Sequence, residues 1–219
     1  MKLKKIASLM LAGIMAVSML AGCKSGTTPN DDSSSSQVPV VSGVVGYAND
    51  ALSVAQKEVF TFKASADLDK ILNDVANDTD NLNSGNIKAI YDRYGITDWN
   101  GGSEKKVKKG IEGKLTDAYI TDDFTNAPTS NVKSQKAVKV YTVSGALAEK
   151  DAIVRVINDY KTRITSAGFP LTVNNKYSCD YEAEISAVKV ESPENSAKTA
   201  WVVAMVFTQN LTANDGAKN

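Results

Sequence analysis

The chain has 219 residues, with 25 basic and 25 acidic side chains, two cysteines and no histidine. The balanced charge argues against a nucleic-acid partner held by bulk electrostatics. Without an imidazole, Ser-His and Cys-His catalytic pairs and histidine-ligated zinc are excluded, and much hydrolase chemistry goes with them.

Residues 1–22 have the build of a secretory signal: Lys2, Lys4 and Lys5 form a positive start, and an apolar run follows from Ile6 to Leu20. That run is about 15 residues, short of the roughly 20 that a spanning helix needs, so it reads as a processed segment. Leu20, Ala21, Gly22 and Cys23 then follow the lipobox order of leucine, small, small, cysteine. On these residues the chain resembles bacterial lipoproteins, and the resemblance covers residues 1–23 only. It implies that Cys23 receives a thioether-linked diacylglycerol, with palmitate-type acyl chains, and becomes the mature N-terminus. It also implies a place on the extracytoplasmic face of the cell membrane. An ordinary signal peptide with a chance cysteine is the competing reading. Two acyl chains hold stably where one is marginal, at about 0.8 kcal/mol per buried methylene.

Loss of residues 1–22 removes three lysines and no acids, leaving 22 basic against 25 acidic side chains and a net charge of −3. Residues 23–43 hold the cysteine and a linker rich in Ser33 to Ser36, Asp31, Asp32, Pro29 and Pro39, with almost nothing to bury before Val38. As a flexible coil this linker spans about 25 Å. Residues 44–219 read as a single α+β domain without internal repeats, long enough to bury about 70% of its unfolded surface. If Cys23 is acylated no internal disulfide is possible, and Cys179 reads as a small buried hydrophobe.

Within the domain, Ala48, Ala51, Leu52, Ala55 and Val59 recur at helical spacing from Tyr47 to Val59. Val59 to Lys63 reads equally as a short strand, because Phe60, Thr61 and Phe62 favour extended structure. Leu68, Ile71, Leu72, Val75, Thr79 and Leu82 predict a second helix, with Ser65 or Asp67 to cap it and Gly85 to stop it. A third runs from Asn86 to Tyr94, ending at Gly95. A fourth opens at Ser103 with Val107, Ile111, Leu115 and Ala118, weakened by Gly110 and Gly113.

The second half changes period. Lys136 to Val143 predicts a strand, and Ala148 to Ala167 a helix with Ile153, Val156, Ile157, Tyr160 and Ile164 on one face. From Tyr177 to Ile185, odd residues are apolar or aromatic and Ser178, Asp180, Glu182 and Glu184 are polar, which turns Cys179 inward. Val188 and Val190 break this parity and predict a bulge near Ser186 to Val188. Trp201 to Phe207 is apolar on both faces, as in a central strand, pairing antiparallel with its predecessor through a turn at Pro193. The expected architecture is a helical N-terminal half packed with a small, mainly antiparallel sheet in strand-helix-strand-strand order.

Five stretches carry candidate chemistry. Lys105, Lys106, Lys108 and Lys109 suit anionic head groups or wall polymer, or form a solvated helix face. The Asn and Asp residues from Asn73 to Asn86 fail the spacing of a calcium loop, because Leu82 and Ala89 fall at the fifth and twelfth positions counted from Asp78. Asp180, Glu182 and Glu184 stand about 7 Å apart along one strand face, a spacing open to glycoside hydrolysis or to a solvated surface paired with lysines such as Lys139. Ser-x-x-Lys occurs at Ser103, Ser130 and Ser186 without its companion motifs. Asp98, Trp99 and Asn100 lead into Gly101 and Gly102, where the indole either offers a stacking platform to a sugar or pins the loop to the core.

These residues predict a membrane-anchored binding or accessory domain that is not an enzyme. Its partners are the membrane through Cys23 and a glycan, a wall polymer or another envelope protein, with no nucleic acid, metal or cofactor. A histidine-independent carboxylate hydrolase acting on glycans or cell-wall polymer is the alternative.

Overall fold

In the computed structural model, the described residues are 43–93, 95, 102–115, 118–126 and 133–214. The residues read from sequence as a signal segment and linker (1–42, with Cys23) and the candidate ligand-binding residues Asp98, Trp99 and Asn100 lie outside them. The described elements are α1 (Val44–Asp50), α2 (Val54–Val59), β1 (Phe62–Lys63), α3 (Ala66–Ala76), α4 (Ser84–Tyr91), α5 (Gly102–Lys114) and β2 (Tyr119–Ile120). After them come β3 (Ser134–Ser144), α6 (Glu149–Tyr160), a 3-10 turn (Lys161–Arg163), β4 (Thr172–Val173), β5 (Tyr177–Ser192) and β6 (Asn195–Ala213).

The fold is α+β, built on a six-stranded mixed sheet in the order β1-β5-β6-β3-β2, with β4 also pairing with β5. The long strands β3, β5 and β6 are antiparallel neighbours, whereas β1 joins β5 and β2 joins β3 in parallel at the two edges. This corrects the expected strand-helix-strand-strand order and the helical N-terminal half, and it settles Val59 to Lys63 as the end of α2 followed by the strand β1. The two short edge strands come from that half and exist only because a distant strand pairs with them. Phe62 is further held by Asn49, whose Nδ2 donates to the Phe62 carbonyl at 3.0 Å while the Phe62 N–H donates to Asn49 Oδ1 at 2.8 Å. One side-chain amide thus does for β1 what a further strand would do, satisfying both backbone groups of an edge residue.

β6 lies at the centre and is covered on both sides. Val202, Ala204 and Val206 pack with Leu72, Val75, Ile87, Ile90, Val107 and Ile111 from α3, α4 and α5. Val203, Met205 and Phe207 pack on the other face with Ala48 of α1 and Ile153, Val156, Ile157 and Tyr160 of α6. The second core is aromatic at its centre: the rings of Phe60, Phe62, Phe169 and Tyr160 all lie 5.0–6.0 Å from that of Phe207.

Several local expectations are corrected by capping and packing. The Tyr47–Val59 segment is two helices, because Ser53 and Gln56 form a reciprocal capping box that starts α2. α3 starts as expected, with the Leu68 N–H donating to Ser65 Oγ, but it ends at Ala76 and not at Gly85. Asn77 and Asn81 donate there to the carbonyls of Asn73 and Val75. Gly85 sits in the first turn of α4, which Asn83 caps with Asn86. The Asn-rich stretch is therefore a helix end followed by a helix start. α6 stops at Tyr160, and Ile164 is buried beyond it, past the 3-10 turn. α5 stops at Lys114, so Ala118 precedes β2 and is no part of a helix.

The predicted bulge near Ser186 to Val188 is absent. β5 keeps an unbroken register with β6 from Tyr177 to Glu191, and the only shift on that strand pair falls between Glu191 and Ser192. The parity changes because the cover changes. At one end Cys179, Ala183 and Ile185 are buried, and at the other Ser186, Val190 and Ser192 of the opposite face are buried. Different helices close over the two ends of one straight strand.

Gly110, which weakens α5 by propensity, has a packing reason. A Cβ there would stand 2.5 Å from Val75 Cγ1, so its absence lets α5 lie against α3.

Candidate functional site

On the aromatic side of the sheet, the odd residues of β3 point inward: Gln135, Ala137, Lys139, Tyr141 and Val143 are all buried. Lys139 is the one cation in that row, 8% exposed. It lines a cavity of about 230 Å³ together with Asp122, Phe124, Tyr160, Arg163 and Phe169. α6 and the turn after it supply Tyr160 and Arg163, and the chain reversal before β4 supplies Phe169.

The remaining wall is the loop Thr121–Asn126, and the sheet and α5 tie it down by side chains. Lys139 Nζ donates to the Asp122 carbonyl at 2.7 Å. Lys108 Nζ donates to Asp122 Oδ1 at 2.6 Å and pairs with Glu112 at 3.2 Å. Gln135 Nε2 donates to the Asn126 carbonyl at 3.1 Å and to Gln209 Oε1 at 2.6 Å. Gln209 Nε2 in turn donates to the Tyr181 hydroxyl at 2.8 Å, completing a polar row across β3, β6 and β5. With its loop held, Phe124 seats its ring 5.7 Å from Phe169 and 5.4 Å from Tyr181.

The electrostatics separate the ionisable groups. Burial, followed by the charge of Lys108, brings the Lys139 amine down to about 8, against the opposing pull of Asp122 and Asp123. Lys108 moves the other way: its hydrogen bonds to Asp122 and Glu112 outweigh the cost of burial and raise it. The Lys108 hydrogen bond holds the Asp122 carboxyl below its ordinary value, and hydrogen bonds from the Thr125 side chain and backbone do so for Asp123. Burial raises the Tyr160 phenol and keeps it protonated. The recess therefore combines a partly neutral amine, two ionised carboxylates, a guanidinium and three aromatic rings. Neither of its carboxylates is poised as a general acid.

The other candidates fall elsewhere. Asp180 and Glu182 are exposed on the opposite sheet face, where Glu182 lies 3.7 Å from Lys63 and accepts from Asn210. Lys139 is not their partner, because β6 separates β3 from β5 and Lys139 points to the other side. Glu184 lines a groove of about 450 Å³ between α3, α5 and the sheet, with Asp67, Lys70, Asp74, Lys114 and Lys136. The lysine run divides: Lys105, Lys106 and Lys109 are exposed, but Lys108 is buried against its two carboxylates. Cys179 is buried and in thiol form, raised by burial and by Asp180. Glu104 is buried at the start of α5, where Thr142 donates to it.

Among the described residues, no cluster of three or more acidic or cysteine side chains suits a metal ion, and no helix is long and apolar enough to cross a membrane. Sequence reasoning missed Lys139 as a site residue. The available signal was its parity, a lysine between Ala137 and Tyr141 in the inward row of a valine-rich strand. In comparisons with protein-family models, curated proteins and solved structures, the chain matches none.

Proposed function

We propose that the chain is an extracytoplasmic lipoprotein held by a diacylglycerol on Cys23, and that its domain is a non-catalytic binding or accessory module. Its ligand site is the Lys139 recess, and the ligand is a small anion with a flat apolar body. The observation that carries this reading is Lys139 itself, a lysine sunk among Phe124, Tyr160 and Phe169 beside Arg163. Burying an amine without function is costly, and such groups gather at binding and catalytic sites. The aromatic rings offer apolar area, and the guanidinium, beside the contacts it already makes, brings a planar positive group suited to a carboxylate. A glycan, wall polymer or envelope protein carrying such a group is the natural source, and Asp98, Trp99 and Asn100, which lie outside the described residues, stay the candidates that the sequence offers for a further contact. The carboxylate hydrolase is the weaker reading, because Asp180 and Glu182 stand exposed on the other sheet face, with Glu182 engaged by Lys63 and Asn210, and the two carboxylates of the recess, Asp122 and Asp123, are both held below their ordinary value.

Two measurements test this. Membrane extraction followed by mass analysis is expected to find the mature chain starting at an acylated Cys23, with Cys23→Ser released to the soluble fraction. Calorimetric titration with benzoate is expected to give saturable binding that Lys139→Met and Arg163→Ala each weaken. Binding unchanged in both variants would refute the assignment of the recess.

A further inference from the structure

We infer that the groove between α3, α5 and the sheet is a second ligand site, built for the zwitterionic backbone of a short peptide. The ammonium end of the peptide lies against Asp67 and Glu184, and its carboxylate end against Lys114 and Lys136. The groove and the Lys139 recess lie on opposite faces of the sheet, since Lys136 and Lys139 have opposite parity in β3. Neither site depends on the other.

The groove has a volume of about 450 Å³, and its charges are sorted by wall. α5 packs on β3, and this wall lines the groove with Lys114 and Lys136 and no acid. α3 packs on β5, and this wall supplies Asp67, Asp74 and Glu184 against the single cation Lys70. A ligand lying across the groove meets positive charge at one end and negative charge at the other. An ion of one sign satisfies only half of that arrangement.

The two charges on the floor do not neutralise each other. Lys136 stands opposite Thr208 and Glu184 opposite Val206, so β6 runs between them and they are two residues out of line along the strands. At about 4.8 Å per strand and 3.4 Å per residue, their Cα atoms are about 12 Å apart. Both residues are partly buried, and among the described residues neither side chain makes an ion pair or a hydrogen bond. Partial burial of a charge without a partner is costly, and a ligand carrying both opposite charges offsets the cost at both places. An extended dipeptide is about 7 Å long. A charge-assisted hydrogen bond of about 2.8 Å at each end brings the span to about 13 Å, close to the separation on the floor.

Between the charged walls lie Leu68, Ile71 and Leu115, the last two partly exposed, which seat an apolar side chain of the peptide. One ion pair joins the walls, Lys114 to Asp74 at 3.6 Å, with both side chains about half exposed. An exposed pair of this kind contributes little, so Lys114 exchanges it readily for the carboxylate of the ligand.

The test is calorimetric titration of the full-length chain in detergent with leucyl-leucine, N-acetyl-leucyl-leucine and leucyl-leucine amide. Saturable binding of the free dipeptide is expected, weakened about tenfold or more by capping either end. Glu184→Gln should shrink the penalty of acetylation and spare that of amidation, and Lys136→Met should do the reverse. Excess benzoate should leave dipeptide binding unchanged, and displacement by benzoate would put the peptide in the recess and overturn the groove. Absence of binding, or binding indifferent to either cap, would overturn the proposal as well. Variants that both keep the two penalties at wild-type size would overturn the assignment of the ends. The wild-type comparison of the three peptides decides the matter even if a variant does not fold.

Discussion

Tyr160 and Phe207 stack with ring centroids 5.0 Å apart and planes 15° from parallel. This joins the last residue of α6 to the central strand at the point where Phe60, Phe62 and Phe169 also meet. Phe207 is fully buried, and its neighbours come from opposite ends of the domain. Phe207→Ala is expected to cost about 3–5 kcal/mol, read as a lowered urea midpoint. A loss below about 1 kcal/mol would mean that the rings close over the gap.

Gly110→Ala normally helps a helix interior by about 1 kcal/mol. Here the added methyl meets Val75 at 2.5 Å, so the expected sign is reversed. The variant should lose about 1–3 kcal/mol, and Val75→Ala in the same chain should restore part of the loss. A thermal melt of the three proteins decides between propensity and packing.

Lys139 gives the domain an alkaline signature. Its folded value is about 8, against roughly 10.4 for an unfolded lysine. Between those values the unfolded chain binds more protons than the folded one, so stability rises with pH across that window, by at most about 3 kcal/mol. Lys108 acts oppositely, since its raised value makes its contribution fall away only above the ordinary lysine range. Lys139→Met should flatten the rise from about pH 8 to 10 and raise the urea midpoint at neutral pH. A wild-type chain whose stability is level across that window contradicts the burial of this amine.

Cys179 should be inert. Its thiol is buried and shifted upward, and the thiolate is the reactive form. Iodoacetamide at neutral pH is expected to leave Cys179 unmodified in the native chain and to modify it fully in guanidinium. Rapid native labelling would place this end of β5 in the open.

What the sequence disclosed followed the range of the physics involved. α6 was legible because Ile153, Val156, Ile157 and Tyr160 repeat on one face, and β6 because both its faces are apolar. β1 was half legible, as one of two readings of Val59 to Lys63, while β2 was not, since its two residues acquire strand geometry from Gln135 and Lys136 far along the chain. The break between α1 and α2 was written locally, in Ser53 and Gln56, but the apolar spacing ran across it. The recess needed three separate segments, and only the inward parity of Lys139 hinted at it.

The exchange of buried faces along β5 also protects its alignment. Side chains alternate with a period of two, so sliding the strand by one residue would turn every one of them over. A strand covered at one end would then expose a single apolar row. β5 would fail at both ends at once: Asp180, Glu182 and Glu184 would turn toward the aromatic core, and Lys189 and Glu191 would turn beneath α3 and α4. The longest hairpin of the domain therefore carries two independent locks on a single register.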